Sequence, residues 1–556
     1  GEAVRAAGVK ADALGSEVFT IKTTGDTLFI VGEDGAGDPI SRDTHAGTLW
    51  GVYEWLEQTL KVRWLWPGEL GTHVPKAATV TTGSLNETTA PRLVQRKIRP
   101  GPGMNEPPRT LGFTPAAQEK YARDENVFLR RHRMGATMKL VYSHAFTDWW
   151  DKYGQDHPEW FQLNEDGRRG PAGKGSRFSM CMSNPELHQQ IVADWKQARA
   201  KDPSIGRALN ACENDIVGLC VCEPCKAWDG STPSDYTDFI APGSKIAGKR
   251  FVSNRNARFL LSLQERVVKE DPEAVVVGYA YMNYFVAPTS GIQLNPNVWV
   301  GFCPSGSWYP RDERDHAWIK RQWSGWAATG ARLFFRPNYF LTGHTMPNLF
   351  TRSFADEFHH AVKSGIVATD FDSLTGQWAT QGTNLYQLVR LHTRPDAKTD
   401  DLLGEYYSGF GPAAEAVKAY FDYWEKYTLD GRERTVAALR ERKASFWRSF
   451  ARMSDAAFPP DAFPPGEALL KKAEAAAASD PESAARVAFL SRGLDHAKLC
   501  ARVAELFSSK APAAEVKKGL DELVAFRRKH EGENLSNFTA AAWSEGSGWA
   551  LPAEYK

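Results

Sequence analysis

Alternating apolar and polar positions near the start of the chain predict a β-hairpin, and a helical pattern follows it. Residues 17–34, EVFTIKTTGDTLFIVGED, alternate on both sides of Thr23-Thr24-Gly25-Asp26, as two antiparallel strands joined by a turn do. Residues 47–60, GTLWGVYEWLEQTL, instead repeat apolar side chains at helical spacing, which predicts an amphipathic helix. Residues 1–88 are therefore expected to form a small accessory α/β domain.

Apolar runs alternate with helical patterns over residues 92–395, which predicts a (β/α)8 TIM barrel. The eight candidate strands are residues 94–98, 137–143, 177–182, 207–213, 274–281, 298–302, 331–336 and 366–371. The clearest helices between them are residues 119–133, 185–200, 252–270, 312–329 and 350–364. In such a barrel the loops after the strands meet at one face, where active sites are built.

The remaining residues, 396–556, show almost only the helical period and predict a C-terminal helical domain packed on the barrel. The last 20 or so residues, including Trp543 and Trp549, have no clear period.

Composition narrows the class of protein. The chain has 556 residues, with 68 Lys and Arg against 67 Asp and Glu, and this balance argues against an electrostatic nucleic-acid binder. Its longest apolar run, residues 274–282, is far shorter than the roughly 20 residues that span a bilayer. No signal peptide is visible at Gly1, so the chain is expected to be a mature form, and no membrane partner is expected.

The strongest local signal is the triplet Glu213-Asn214-Asp215, which directly follows the apolar fourth candidate strand. Carboxyl groups at the end of a barrel strand can act as general acids when their pKa is tuned by the surroundings. The alternative is a solvated loop that happens to be acidic.

Three cysteines follow that triplet, Cys220, Cys222 and Cys225. With Cys181, Cys212 or Cys303 as a fourth ligand, they could form a structural zinc site. The spacing lacks a second CxxC pair, so a disulfide or buried free thiols remain the alternatives.

Other candidate residues follow the remaining strands. Asp370 and Asp372 end the eighth strand, and alternation predicts that both face one side, where one would bind sugar hydroxyls or act as base or nucleophile beside the ring of Trp378. The alternative for Asp372 is a turn cap. The other polar and aromatic side chains expected at the same face are His144, Asp148, Trp149 and Trp150 after strand two, Tyr279 and Tyr281 in strand five, and Arg336 and Tyr339 after strand seven.

The sequence also resembles a known family. Residues 144–169 (HAFTDWWDKYGQDHPEWFQLNEDGRR), 181–195 (CMSNPELHQQIVADW) and 213–230 (ENDIVGLCVCEPCKAWDG) resemble the bacterial domain of unknown function numbered 4838. That group includes the family 163 endo-β-N-acetylglucosaminidases and is related to (β/α)8-barrel glycosidases of families 20, 67, 89 and 123. Residues 47–75 are similar to the accessory domain of families 20, 67 and 89, and residues 402–427 resemble the helical tail.

The resemblance implies a retaining β-N-acetylhexosaminidase, acting on GlcNAc or GalNAc, in which the substrate's own 2-acetamido group serves as nucleophile. In related barrels two adjacent residues after strand four polarise the acetamido group and donate the proton. Carried over in that order, Asn214 is the polariser and Asp215 the acid, with Glu213 as the competing acid. This pair departs from the commoner Asp-Glu pair.

Two other functions are alternatives to a hexosaminidase. The first is a glycosidase of uronic acid or neutral sugar, which pairs a strand-four carboxylate with Asp372 and binds a substrate carboxylate through Arg336 or Arg96. The second is a carbohydrate-binding protein without catalysis. No cofactor is expected to be required for catalysis, and a glycan substrate suggests export to the periplasm or the cell exterior.

Overall fold

The computed structural model describes residues 2–236, 246, 248–304 and 308–556. The N-terminal elements are α1 (Glu2–Ala6), β1 (Phe19–Thr24), β2 (Thr27–Gly32), α2 (Gly47–Thr59), β3 (Arg63–Trp64), β4 (Thr72–His73) and β5 (Asn86–Thr89). Strands β1 and β2 pair antiparallel, with Thr24 opposite Thr27, which confirms the predicted hairpin and its turn. β5 adds to the free edge of β1.

Helix α2 lies directly against the hairpin. A Cβ atom on Gly47 would lie 2.6 Å from the carbonyl oxygen of Glu33, so only glycine permits this close approach. Phe19, Ile21 and Trp50 are buried between the helix and the sheet. The apolar face that the sequence predicts for the helix is the face that packs on the strands.

The central region contains a curled seven-stranded sheet covered by helices. Its elements are β6 (Gln95–Ile98), α3 (Pro115–Arg131), β7 (Gly135–Ala136), α4 (Trp149–Tyr153), α5 (Pro185–Lys201), β8 (Ala208–Asn210), α6 (Glu223–Asp229), α7 (Ser253–Val267), β9 (Val275–Ala280), β10 (Val298–Phe302), α8 (Glu313–Ala327), β11 (Arg332–Phe335), α9 (Thr351–Lys363), β12 (Ala368–Phe371) and α10 (Gly382–Thr393). The strand order is β7-β6-β12-β11-β10-β9-β8. All neighbours are parallel except β7, which runs antiparallel to β6.

Strand β9 shows why the sequences of these strands are continuous runs of apolar residues. All six of its residues are buried, because one face points into the barrel and the other meets helices. Val275, Val277 and Tyr279 point inward, while a Cβ atom on Gly278 would lie 2.5 Å from Leu260 of α7. A parallel strand covered on both faces has this composition.

The barrel prediction is correct only in part, because within the described residues the sheet stays open between β7 and β8. Residues 137–143 and 177–182, predicted as strands two and three, form no strand over those ranges. Their backbone N–H groups bond elsewhere: Leu140 N–H donates to the Gln95 side chain at 3.0 Å, and Met180 N–H donates to the Glu213 carboxylate at 3.0 Å. At these two positions a side chain takes the donor that a sheet ladder would use.

The C-terminal region is helical, as predicted. It contains α11 (Thr399–Ser408), α12 (Ala414–Asp430), α13 (Arg432–Glu441), α14 (Ser454–Ala457), α15 (Phe463–Ala477), α16 (Pro481–Ser508), α17 (Ala513–His530) and α18 (Phe538–Gly548). Helix α18 lies in the stretch without a clear period, and most of its residues are buried. Its N-terminal end reaches the loop after β12, where Asn537 N–H donates to the Gly376 carbonyl at 2.9 Å.

No helix in the described ranges is both long and apolar enough to cross a membrane. The boundaries predicted at residues 88, 92 and 395 stay predictions.

Candidate functional site

Polar side chains that follow β8, β9, β11 and β12 meet at one edge of the sheet, as the carboxyl ends of parallel strands must. They line two adjoining cavities that share His144, which together we call the cleft. The larger cavity has a volume of about 320 Å³ and is lined by His144, Thr147, Trp150, Asp151, Pro171, Gly175, Ser176, Arg177, Phe178, Asn214 and Asp215. The smaller has a volume of about 60 Å³ and is lined by His144, Tyr279, Tyr281, Cys303, Arg336, Asn338 and Asp372.

Asp215 is the carboxylate of the triplet that lines the cleft. The Tyr281 hydroxyl donates to its Oδ1 at 2.9 Å, and the Arg177 guanidinium binds its Oδ2. Burial opposes ionisation of Asp215, but these two partners outweigh burial and lower the pKa of the carboxyl group. Asp215 is therefore ionised at neutral pH.

Asn214 is held with its amide oxygen free. Its Nδ2 donates to the carbonyl oxygens of Phe178 at 2.8 Å and Phe146 at 3.3 Å. These bonds fix the orientation of the amide, and Oδ1 is buried with no hydrogen-bond partner among the described residues. A buried acceptor without a donor is costly, so this atom is suited to accept a hydrogen bond from a ligand.

Glu213 lies behind the cleft wall and does not line either cavity. Only 1% of it is exposed, and its two oxygens accept the N–H groups of Met180 at 3.0 Å and Asn214 at 2.8 Å. Burial raises the pKa of Glu213 to about 7 against these bonds. Its pKa suits a general acid, but its position does not.

His144 is the residue common to both cavities. Its Nδ1 lies 2.7 Å from the carbonyl oxygen of Glu213, and because a carbonyl only accepts, Nδ1 carries a proton. Nε2 is then the nitrogen that takes up or releases a proton. The ring of His144 lies beside those of Tyr279 and Tyr281, with centroids 5.7 and 6.3 Å away.

Arg336 and Asp372 form the far wall of the smaller cavity. Arg336 Nη2 donates to Asp372 Oδ1 at 2.8 Å, and one third of the Asp372 side chain is exposed. Arg336 Nε is buried and has no acceptor among the described residues. As predicted for residues that follow strands, His144, Tyr279, Tyr281, Arg336 and Asp372 come together.

Asp370 shares the inward side of β12, but it lies below the cleft, which corrects its prediction as a sugar-binding residue. Its side chain is fully buried, and Arg99 binds both of its oxygens at 2.9 Å. The Tyr142 hydroxyl adds a third bond at 2.7 Å. Burial opposes ionisation, but the bonds from Arg99 outweigh it and lower the pKa of Asp370. With its oxygens occupied, Asp370 stabilises the barrel interior.

The tryptophan predictions also need correction. Trp378 is 1% exposed, and its Nε1 donates to the Tyr121 hydroxyl at 2.9 Å, since α18 covers the loop that carries it. Trp149 is buried against Phe146. The neighbouring Trp150 lines the cleft instead, so the stacking surface after strand two is Trp150.

Three further predicted ligands lie outside the cleft. Tyr339 is buried and its hydroxyl donates to Glu357 at 3.2 Å. Arg96 is buried in an ion pair with Glu17 at 2.6 Å, facing the N-terminal elements. Asp148 is exposed just before α4 and lines neither cavity. Each of these residues is near a strand end or loop in sequence, but none of them lines the cleft.

Arg177 is a cleft residue that the sequence did not single out, and it is the one that contacts Asp215. It belongs to the segment predicted as strand three, where a basic residue carries no special meaning. Its contact with Asp215 follows from the irregular path of this segment, and no pattern in the sequence signals it.

The predicted cysteine group comes together with a fourth member. Cys220, Cys222 and Cys225 lie with Cys181, all four buried, with their sulfur atoms within 4.8 Å of one another. Of the fourth ligands considered, Cys212 and Cys303 pack instead inside the barrel.

Comparison with known proteins gives one strong similarity. Residues 66–422 match the model of a family described as a domain of unknown function, DUF4838. No curated protein matches the chain. Among solved structures, the chain is similar to a GH138 enzyme targeting pectin rhamnogalacturonan II. The identity is 12% and the TM-score 0.33, over 97% of this chain and 69% of that one.

Proposed function

We propose that this chain, which belongs to the DUF4838 family, is a glycoside hydrolase acting at the cleft. The observation that carries this proposal is the Asp215 carboxylate, which lines the cavity and is kept ionised by Tyr281 and Arg177. Glycoside cleavage develops positive charge on the sugar ring, and a positioned carboxylate stabilises that charge. The ring of Trp150 on the same wall suits stacking against a sugar.

The substrate that best fits the wall is a β-N-acetylhexosaminide. Asn214 Oδ1 needs a donor, and an acetamido N–H supplies one beside the carboxylate of Asp215. In this mechanism the acetamido oxygen attacks the anomeric carbon, the glycosidic bond breaks, and Asp215 stabilises the positively charged intermediate until water opens it. The low pKa of Asp215 favours this role over that of the acid.

The proton for the leaving oxygen comes, in this proposal, from His144. Its Nδ1 is engaged with the Glu213 carbonyl, so the imidazolium form donates from Nε2 and the neutral form then accepts a proton from the attacking water. Glu213 acts as a positioning residue: its carbonyl orients His144, and its carboxylate fixes the backbone of Asn214.

A panel of nitrophenyl glycosides tests the substrate class. We expect turnover of the β-GlcNAc or β-GalNAc substrate, and inhibition by the corresponding thiazoline, which mimics the cyclised acetamido group. Turnover confined to sugars without an acetamido group would exclude its participation. Sugar binding without turnover of any substrate would instead indicate a carbohydrate-binding protein.

The contact between Arg177 and Asp215 predicts a change in the pH profile. Arg177→Gln removes a cation that lowers the pKa of Asp215, so we expect the acidic limb of kcat/KM to move to higher pH, because Asp215 must be ionised to work. Arg168→Gln, which removes an exposed arginine paired with Asp166, is the matched control and should leave the profile unchanged. If the alkaline limb moves instead, Asp215 is the proton donor.

One observation supports a second candidate, a glycosidase of uronic acid. Arg336 Nε is free of partners among the described residues and its side chain lines the smaller cavity, where a guanidinium binds a carboxylate. Asp215 and Asp372 would then be the two catalytic carboxyl groups. Preferred turnover of the β-glucuronide in the panel, lost in Arg336→Gln, would select this candidate.

A further inference from the structure

Four buried cysteines from two separate segments converge beside the cleft. Cys220, Cys222 and Cys225 lie in the loop before α6 and in its first turn, and Cys181 lies just before α5. The sulfur of Cys181 lies 3.6 Å from that of Cys222 and 3.9 Å from that of Cys225. The sulfurs of Cys220 and Cys222 are 3.5 Å apart.

These separations match those of four thiolates around one metal ion. A tetrahedral zinc site has Zn–S bonds of about 2.3 Å, which places its sulfur atoms about 3.8 Å apart. A disulfide requires a separation of about 2.05 Å. In a [4Fe–4S] cluster each thiolate binds a different iron, and in a [2Fe–2S] cluster two thiolates bind each of two irons, so in both the four sulfurs spread farther apart than four ligands of one ion.

The groups around the cluster suit a negatively charged metal centre. The N–H group of Leu163 donates to Cys220 Sγ at 3.3 Å, as backbone N–H groups do for metal thiolates. The guanidinium of Arg169 lies near enough to Cys181, Cys220 and Cys222 to interact electrostatically with their sulfur atoms, and Arg255 donates to the Cys220 carbonyl at 2.9 Å. Four thiolates and one Zn²⁺ carry a net charge of −2, which Arg169 offsets in part, whereas the charge of Arg255 is already paired with Asp229 at 2.7 Å.

We propose that Cys181, Cys220, Cys222 and Cys225 bind one structural zinc ion that joins the segment 177–181 to the loop 218–225. All four positions are taken by protein thiolates, so the ion has no open site for a substrate and acts by holding the two segments together.

The position of this metal site in the fold indicates what the ion would stabilise. The segment 177–181 lies where strand three of a closed barrel is expected, and it forms an isolated bridge between Met180 and Phe161 but no ladder with a strand of the central sheet. Yet this segment supplies one contact to each member of the triplet Glu213-Asn214-Asp215: Met180 N–H to the first, the Phe178 carbonyl to the second and the Arg177 guanidinium to the third. A metal cross-link replaces the missing sheet bonds in positioning the cleft wall. This consequence for activity, unlike the metal site itself, rests on the proposed function.

Metal analysis of the intact protein tests the site without an activity assay. We expect one zinc per chain after purification without added metal or chelator. Stripped under reducing conditions and reloaded with Co²⁺, the protein should show the thiolate-to-cobalt charge-transfer absorption and the d–d bands of a tetrahedral tetrathiolate site. Zinc added back should abolish that spectrum at one equivalent.

Three results would overturn the proposal. Protein without metal whose seven thiols all react with Ellman's reagent after unfolding would show free cysteines. A count of reactive thiols below seven that rises to seven only after reduction would show disulfides. Several iron atoms per chain together with inorganic sulfide would show an iron–sulfur cluster. None of these depends on whether the protein cleaves glycosides.

Single substitutions assign the ligands. Cys222→Ser should lower zinc to background or below half occupancy, whereas Cys212→Ser, which changes a buried thiol inside the barrel, should retain one zinc per chain. If Cys222→Ser does not fold, the cobalt spectrum of the unaltered protein still decides the question. Retention of a full zinc in a folded Cys222→Ser variant would contradict the assignment.

Discussion

Replacing Asp215 by Asn is expected to lower kcat/KM toward the preferred nitrophenyl glycoside by about 10²–10⁴-fold, the usual cost of removing a positioned charged or proton-transferring group. Asn keeps the size of the side chain but removes the negative charge that faces the sugar ring in the transition state. The bond from Tyr281 at 2.9 Å can still form to the amide oxygen, so the cleft should keep its shape.

A matched substitution separates lost chemistry from a damaged fold. Asp166→Asn removes an exposed carboxylate that pairs with Arg168 and should retain the activity of the unaltered protein. Both variants should melt at similar temperatures, since neither alters packing. Activity of Asp215→Asn within tenfold of the unaltered protein would contradict a direct role for this carboxylate.

Replacing Glu57 by Ala is expected to cost about 3–5 kcal/mol of unfolding free energy, the effect of breaking a buried ion pair from one side. Glu57 is 1% exposed on α2, and its carboxylate binds Arg133 at 2.6 Å and Arg390 of α10. Without Glu57 both guanidinium groups lose a buried partner, and the tie between α2 and α10 is lost. Urea denaturation at pH 7 measures the difference.

The same ion pair predicts how stability depends on pH. Burial opposes ionisation of Glu57, but Arg390 and Arg133 outweigh it and lower the pKa to about 2. The folded-state pKa lies below the unfolded value, so the stabilisation is full above the unfolded pKa and is lost as pH falls through about 2. The difference in unfolding free energy between the unaltered protein and Glu57→Ala should therefore become smaller in acid.

The control for Glu57 is an exposed glutamate in an ion pair of similar length. Glu522 pairs with Arg502 at 3.0 Å on the surface, and Glu522→Ala should cost less than about 1 kcal/mol. Two outcomes would show that the buried ion pair does not stabilise the contact between α2 and α10. One is an equal loss of unfolding free energy in the two variants. The other is a loss in Glu57→Ala that is the same at pH 7 and pH 3.

The secondary structure was largely predictable where local patterns coincide with burial. The hairpin around Gly25 and the helix 47–59 appear as expected, because the period of apolar residues reports which face is covered. Helices α5 and α8 begin beside Asn184 and Asp312, whose side chains cap the first turn. Such signals lie within a few residues of the feature they determine.

Two of the predicted barrel strands, residues 137–143 and 177–182, do not form. Leu140 and Tyr142 alternate as strand residues do and are buried inside the barrel, yet the backbone around them forms no ladder. The acceptors that capture the N–H groups, Gln95 and Glu213, lie tens of residues away in sequence. A pattern of apolar residues predicts burial, but it does not predict which acceptor a backbone N–H finds.

For the site, the sequence by itself determined that polar groups stand at the ends of strands and that one triplet and one cysteine group carry the strongest chemistry. It could do so because strand ends and residue spacing are local properties. Only the tertiary structure decided that Asp215 lines the cleft while Glu213 and Asp370 are enclosed, that Trp150 replaces Trp149 and Trp378, and that Cys181 is the fourth thiol. The physical reason is that access and pKa depend on which distant groups surround a side chain, and packing alone brings those groups together.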